Sequence, residues 1–174
     1  MPPPASYPPG AVAVALITVS VLGNLALLFA AFYGHFRLAA GLGNPDYHFF
    51  TGLFAAFLAM FAQLMSMFYL IGTGKMIRQA VNEEGLDPAY NAEALGYKIR
   101  FFPLASLAVT CIVATPILAG GVHAGKLPPW IHGAAALTAL VLNVAATVVG
   151  CRLIWRTLGL IARVEASLDL KHAG

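Results

Sequence analysis

Residues 47–74, YHFFTGLFAAFLAMFAQLMSMFYLIGTG, decide the fold: these 28 consecutive positions contain no Asp, Glu, Lys or Arg. About 20 apolar residues in a helix cross a hydrocarbon core of about 30 Å, so this stretch crosses once and cannot cross twice. Three further charge-free stretches, 2–34, 101–125 and 127–151, pass the same test. None alternates with a period of two, so the segments read as helices and not as the strands of a membrane barrel. The whole chain is 60% hydrophobic and only 10% charged, against roughly 25% charged residues in a soluble domain. These features predict an all-α integral membrane protein, an antiparallel four-transmembrane-helix bundle forming one domain over residues 1–174.

The spans are predicted at Ala11–Tyr33, Tyr47–Thr73, Phe101–Val122 and Trp130–Arg152. Asn44-Pro45-Asp46 and Leu127-Pro128-Pro129 open the second and fourth, with proline at the first helical turn where a missing N–H costs nothing. Gly72 and Gly74 are expected to loosen the exit of the second span, and Gly120 and Gly121 that of the third. Pro116 lies inside the third, where it deprives the Ile112 carbonyl of its helical donor and is expected to kink the helix. Lys75–Glu84 is expected to prolong the second helix, Gly85 to end it, and Asp87-Pro88 to start a short helix toward Lys98. The loop over 75–100 is therefore helical, and the tail over 153–174 is a helical extension of the fourth span.

Basic residues orient the bundle. Lys75, Arg78, Lys98, Arg100, Arg152, Arg156, Arg163 and Lys171 share the side of the central loop and both termini; Arg37 and Lys126 lie on the other. Eight against two places the first side in the cytoplasm, N-in and C-in, for a multi-pass protein of a bacterial-type inner membrane. The net charge of +3 is this topology signal, and no nucleic-acid partner is implied, because no basic patch is interleaved with aromatics. The amino terminus has no basic n-region and is read as an extended, proline-rich lead-in, not a cleavable signal. Cys111 and Cys151 read as small buried residues without a disulfide.

Histidine carries the candidate chemistry. His35, His48, His123 and His132 all fall at the expected outer face, one at the end of each span. A His at each exit and Pro-x-x-His at each following helix start also hint at duplicated helical hairpins. His48 and His132 follow their prolines by the same spacing, which sets them at matched depth on like-directed, diagonal helices. Two imidazoles so placed are the candidate ligands of a haem b; all four converging would hold copper, zinc or iron. The competing reading is four interfacial imidazoles that bond loop carbonyls and bind no cofactor.

Other features carry less. Met60, Met65 and Met67 share the second span with His48, but Met65 is 17 residues on, roughly 25 Å along a helix, too far for one coordination shell. Gly72-Thr73-Gly74-Lys75 lacks the earlier glycine and the following Ser or Thr of a phosphate loop. Asn24, Gln63, Ser66, Thr110, Asn143 and Thr147 are expected to bond between helices. No Asp, Glu, Lys or Arg lies deep in a span, which disfavours a channel or ion-coupled transporter, and no catalytic constellation is visible. In the tail, Ile154, Leu158, Ile161 and Leu168 form a seam predicted to meet a partner subunit, or else the chain's own 75–100 hairpin. In helix number and histidine placement the chain resembles small four-helix membrane cytochromes and the haem-bearing anchor subunits of respiratory complexes. The resemblance implies a small accessory or anchor subunit of a larger, electron-transferring membrane complex, not catalytic by itself, with other subunits or further copies of itself as partners. A cofactor-free structural or assembly subunit is the alternative.

Overall fold

A computed structural model describes residues 9–38 and 40–173; of the extended lead-in expected over 1–9, residues 1–8 lie outside the described residues and Pro9 already opens a helix. The described residues are all-helical, with no strand. Helix α1 is Pro9–Phe32, α2 Pro45–Glu84, α3 Ala89–His123 and α4 Pro129–Ala173, and a π-helical turn, Tyr33–Leu38, prolongs α1. All four helices are long and apolar enough to cross a membrane. Short connections make neighbours antiparallel, and α4 closes the bundle against α1. Helices α2 and α4 touch across the diagonal, whereas α1 and α3 scarcely meet.

The caps obey local chemistry. Asn44, with φ −95° and ψ 121°, accepts at its side-chain oxygen from the amides of Asp46 and Tyr47, and Pro45 occupies the first turn of α2. Gly85 ends α2 in the left-handed conformation, φ 60°, with its amide donating to Val81. Asp87 then caps the next helix by accepting from the Ala89 amide at 2.8 Å. Helix α2 runs unbroken past Gly72 and Gly74 to Glu84, and Gly74 lets the stem of Lys98 lie across it. One expectation is revised. The short helix ending at Lys98 and the third span are one element, α3, helical through both Pro103 and Pro116. The charges at Lys98 and Arg100 lie on a continuous helix and do not mark a break.

At 40 and 45 residues, α2 and α4 are about 60 and 68 Å long, twice what a bilayer core requires. At the end that carries the basic residues, α2, α3 and α4 run on past the start of α1 as a three-helix extension. Its core holds Leu70, Ile77, Val81, Tyr97, Leu160 and Val164, all buried. The seam expected to face a partner lies inside it: Ile161 is 5% exposed and belongs to this core, and Leu168 packs against it. Ile154 is 1% exposed beneath Ala13 and Leu16 of α1, with Leu158 packed alongside. The chain's own helices cover that stripe because the α2–α3 hairpin reaches far enough along α4 to do so.

Outside the apolar core, Arg163 donates to both oxygens of Glu93 at 2.8 Å, and the Tyr97 hydroxyl donates to the same carboxylate. The Tyr97 bond, joined by Arg163, holds the Glu93 carboxyl below the ordinary carboxylate range. Burial, and then the Glu93 bond, pushes Tyr97 up to about 12.

In the middle of the bundle small residues set the spacing. Ala55, Ala59 and Ala62 on α2, Ala105 and Ala108 on α3, and Ala139 and Ala146 on α4 are almost fully buried. A Cβ added at Gly23 would stand 3.0 Å from the Cα of Ala59, so α1 and α2 approach backbone to backbone there. Three helices are also tied by polar side chains. Gln63 Nε2 donates to Asn143 Oδ1 at 2.9 Å, Asn143 Nδ2 to Asn24 Oδ1 at 3.0 Å, and Asn24 Nδ2 to Thr147 Oγ1 at 2.7 Å. Of the polar residues expected to bond between helices, these four do so. Ser66 and Thr110 instead donate to carbonyls four residues back on their own helices.

Candidate functional site

At the opposite end of the bundle, the first turns of α2 and α4 bring two imidazoles together. Proline starts both helices, and each histidine stands three residues further on, so the rings project at one level. The ring centres of His48 and His132 are 6.1 Å apart, at 75° to each other. Tyr33 stacks on His48 at 6.3 Å and 15°, and Gly34 lies so close that an added Cβ would collide with His48 Cε1 and stand 2.9 Å from Nε2. The π-helical turn begins at Tyr33 and widens the end of α1 just where the ring sits. Such insertions recur at functional sites. Tyr33 is fixed in turn, because its hydroxyl accepts from the Asn44 amide at 2.8 Å and its ring meets Tyr47 edge-on at 5.0 Å.

The two imidazoles differ in their free nitrogens. His132 Nδ1 lies 3.2 Å from the Thr115 carbonyl, which can only accept, so Nδ1 is the donor, and in the neutral ring Nε2 is then the nitrogen with a lone pair. His48 Nδ1 is buried with no hydrogen-bond partner among the described residues. A buried polar atom left unpaired costs about 1–3 kcal/mol, and native structures hold few of them. The ring that carries this nitrogen stands beside the second imidazole, with Gly34 against its Nδ1–Cε1–Nε2 edge.

Comparison with known protein families, characterised proteins and solved structures finds no match.

The other two histidines stand apart from this pair. His35 is exposed on the π-helical turn, edge-on to Phe36 at 4.9 Å, and His123 is exposed at the last turn of α3. Among the described residues no three His, Cys, Asp or Glu side chains gather in an arrangement able to hold a metal ion. The four-histidine convergence expected from the sequence is thus reduced to two. The reason is geometric: helices α2 and α4 meet across the diagonal, while α1 and α3 are held apart and end on the bundle's surface. Met65 is exposed on the outside of α2, and Met60 packs beside Ala59, away from the pair. Tyr33, Gly34 and Thr115 are the neighbours the sequence reading missed. Gly34, directly before His35 at the end of an apolar span, was their one visible trace.

Proposed function

We propose that this chain is a small accessory or anchor subunit of a larger, electron-transferring membrane complex, and that His48 and His132 are the ligands of a metal at its extracytoplasmic end. The observation that carries the reading is the 6.1 Å separation of two imidazoles, one with an unpaired buried nitrogen. A metal–imidazole bond is about 2.0–2.1 Å and the nitrogen lies roughly 1.1 Å from its ring centre, so two rings sharing an ion in line stand about 6 Å apart. The Thr115 carbonyl supplies the outer partner that fixes one ring and raises the basicity of its other nitrogen. Imidazole ligation suits copper, zinc and iron, and two ligands leave positions open for water or a partner's side chain.

The surroundings favour a bare ion over a haem b. Tyr33 and Gly34 press on His48 and the α3 backbone on His132, so protein fills the sides of the pair where a porphyrin would spread. Among the described residues the buried polar side chains are all neutral, Ser20, Gln63, Ser66, Asn143 and Thr157, which supports an anchor over an ion-coupled transporter. Phe50, Phe54, Phe57, Phe61 and Phe68 form an exposed stripe along α2, a face for lipid and for the helices of a partner. With the inner seam of α4 already covered, partner contacts fall to outer positions such as Trp155 and Leu170. The eight-to-two distribution of basic residues supports both termini inside.

A cofactor-free structural subunit is the second reading, and one observation favours it: the His132–Thr115 bond already gives one imidazole a purely mechanical task, tying α4 to α3. Elemental analysis and the visible spectrum of protein purified from membranes without chelators separate the two. Near-stoichiometric copper, zinc or iron is expected. A colourless, metal-free preparation that still co-purifies with its partners would leave the structural reading alone.

A further inference from the structure

At the basic end, an open cleft of about 720 Å³ lies along the line where α3 meets α4. Its rim carries Arg100 from α3 and Arg156 and Arg163 from α4, with Gly96 and Gly159 between them. A Cβ added at either glycine would meet nothing within 4 Å, so the space above the two helices is clear. Arg100 and Arg156 also border a smaller cavity of about 180 Å³ beside Val149, Arg152 and Leu153, one turn nearer the apolar span. The two spaces meet at Arg100 and Arg156 along one groove between α3 and α4, with four guanidinium groups lining it and Val149 and Leu153 at its inner end. Helical spacing explains the alignment, since Arg152, Arg156, Gly159 and Arg163 recur at intervals of three and four.

Charge is unbalanced in this groove. Arg163 is held by Glu93, but among the described residues Arg100, Arg152 and Arg156 have no carboxylate within 4.0 Å. Like charges this close repel unless an anion joins them. The guanidinium fork matches a phosphate with paired N–H donors, and basic pockets between membrane helices on the cytoplasmic side suit anionic headgroups. Depth agrees: Arg152 ends the fourth predicted span, Arg100 directly precedes the third, and the exposed indole of Trp155 lies at the same level.

We propose that this groove binds the phosphate headgroup of an anionic membrane phospholipid, with Arg100 and Arg156 as the central ligands and the acyl chains lying past Val149 and Leu153. The proposal rests on the chain spanning the membrane with this end inward, and it is independent of the imidazole pair. The test titrates the full chain in non-ionic detergent with phosphatidylglycerol, phosphatidylcholine and, separately, inorganic phosphate, counting bound molecules by native mass spectrometry. Phosphatidylglycerol is expected to bind about tenfold or more tightly than phosphatidylcholine, and less tightly as salt rises. Arg100→Gln with Arg156→Gln should cost about tenfold or more, and Gly159→Leu, which fills the groove without changing charge, should do the same. Arg78→Gln, a basic exposed residue on α2 outside the groove, should bind as the parent does. Equal binding of the two lipids, or parent-like binding by both groove variants, would overturn the proposal. So would occupation by inorganic phosphate with no preference for phosphatidylglycerol, which would mark a soluble-phosphate site. Failure of the spanning arrangement itself would show separately, in the labelling experiment described in the Discussion.

Discussion

Replacing Asn143 with alanine removes the hub of the polar cluster that ties α1, α2 and α4 together. Asn143 is 1% exposed, accepts from Gln63 at 2.9 Å and donates to Asn24 at 3.0 Å. After the change, Gln63 keeps the Thr147 hydroxyl at 3.2 Å, whereas Asn24 Oδ1 loses its partner. Side-chain bonds between membrane helices average about 0.6 kcal/mol, so two lost bonds cost about 1.2 kcal/mol. The small cavity left by the amide raises the total to roughly 2–3 kcal/mol. Asn143→Leu fills the volume, and its cost should fall toward the bonding part alone. Reversible unfolding in mixed micelles of increasing SDS content, followed by circular dichroism, measures each variant. A double-mutant cycle with Asn24→Ala should give a coupling of about 0.6 kcal/mol and no more than about 1.7. Thr110→Ala removes only an exposed bond to Ser106 on its own helix, so it should change stability by less than about 0.5 kcal/mol. A cost for Asn143→Ala as small as that of Thr110→Ala, with no coupling to Asn24, would refute the reasoning.

Three further outcomes follow from other parts of the structure. Gly34→Ala drives a methyl group against the Cε1 and Nε2 edge of His48 and should displace the ring, lowering metal affinity while helical content is unchanged; parent-like affinity would mean that the ring is not seated there. For topology, Leu42→Cys and Ala124→Cys, in a background with Cys111 and Cys151 replaced by serine, should label with impermeant thiol reagents in intact cells. Labelling only after lysis would invert the orientation; these positions avoid Gly41 and Gly125, whose φ values of 71° and 68° disfavour any side chain. For pH, the Glu93 carboxyl is held below its ordinary value of 4.5, so its stabilisation is complete above that pH and is lost as pH falls through the lower folded value. Tyr97, pushed up to about 12, contributes below pH 10 and loses its contribution as pH rises from there toward 12. Glu93→Gln should flatten the acid side of the stability profile measured by denaturation at a series of pH values, and an unchanged profile would contradict the assignment.

Some of this was legible in the sequence and some was not, for physical reasons. Charge-free stretches long enough for a bilayer mark the four helices, and Asn44-Pro45, Gly85 and Asp87 mark their ends because caps and left-handed turns demand those residues. Continuity of α3 was hidden, because Lys98 and Arg100 look like a loop when only charge is read. The matched Pro-x-x-His spacing sets His48 and His132 at one level, and their ring centres stand 6.1 Å apart. It said nothing of helix rotation, and rotation is what leaves His35 and His123 on the surface. The same limit hid the joining of Asn24, Gln63, Asn143 and Thr147, recognised singly as polar residues in apolar spans. The arginines of the α3–α4 groove counted only toward orientation, although their spacing by three and four already placed Arg152, Arg156 and Arg163 on one face.

The most direct test of the imidazole pair is equilibrium binding of copper, zinc and iron to the purified chain, parent against four single variants. His48→Ala and His132→Ala should each abolish stoichiometric, tight binding, because one imidazole cannot replace a shared pair, while His35→Ala and His123→Ala should bind as the parent does. Tight binding that survives the loss of both His48 and His132, or that disappears equally with His35 or His123, would contradict the account.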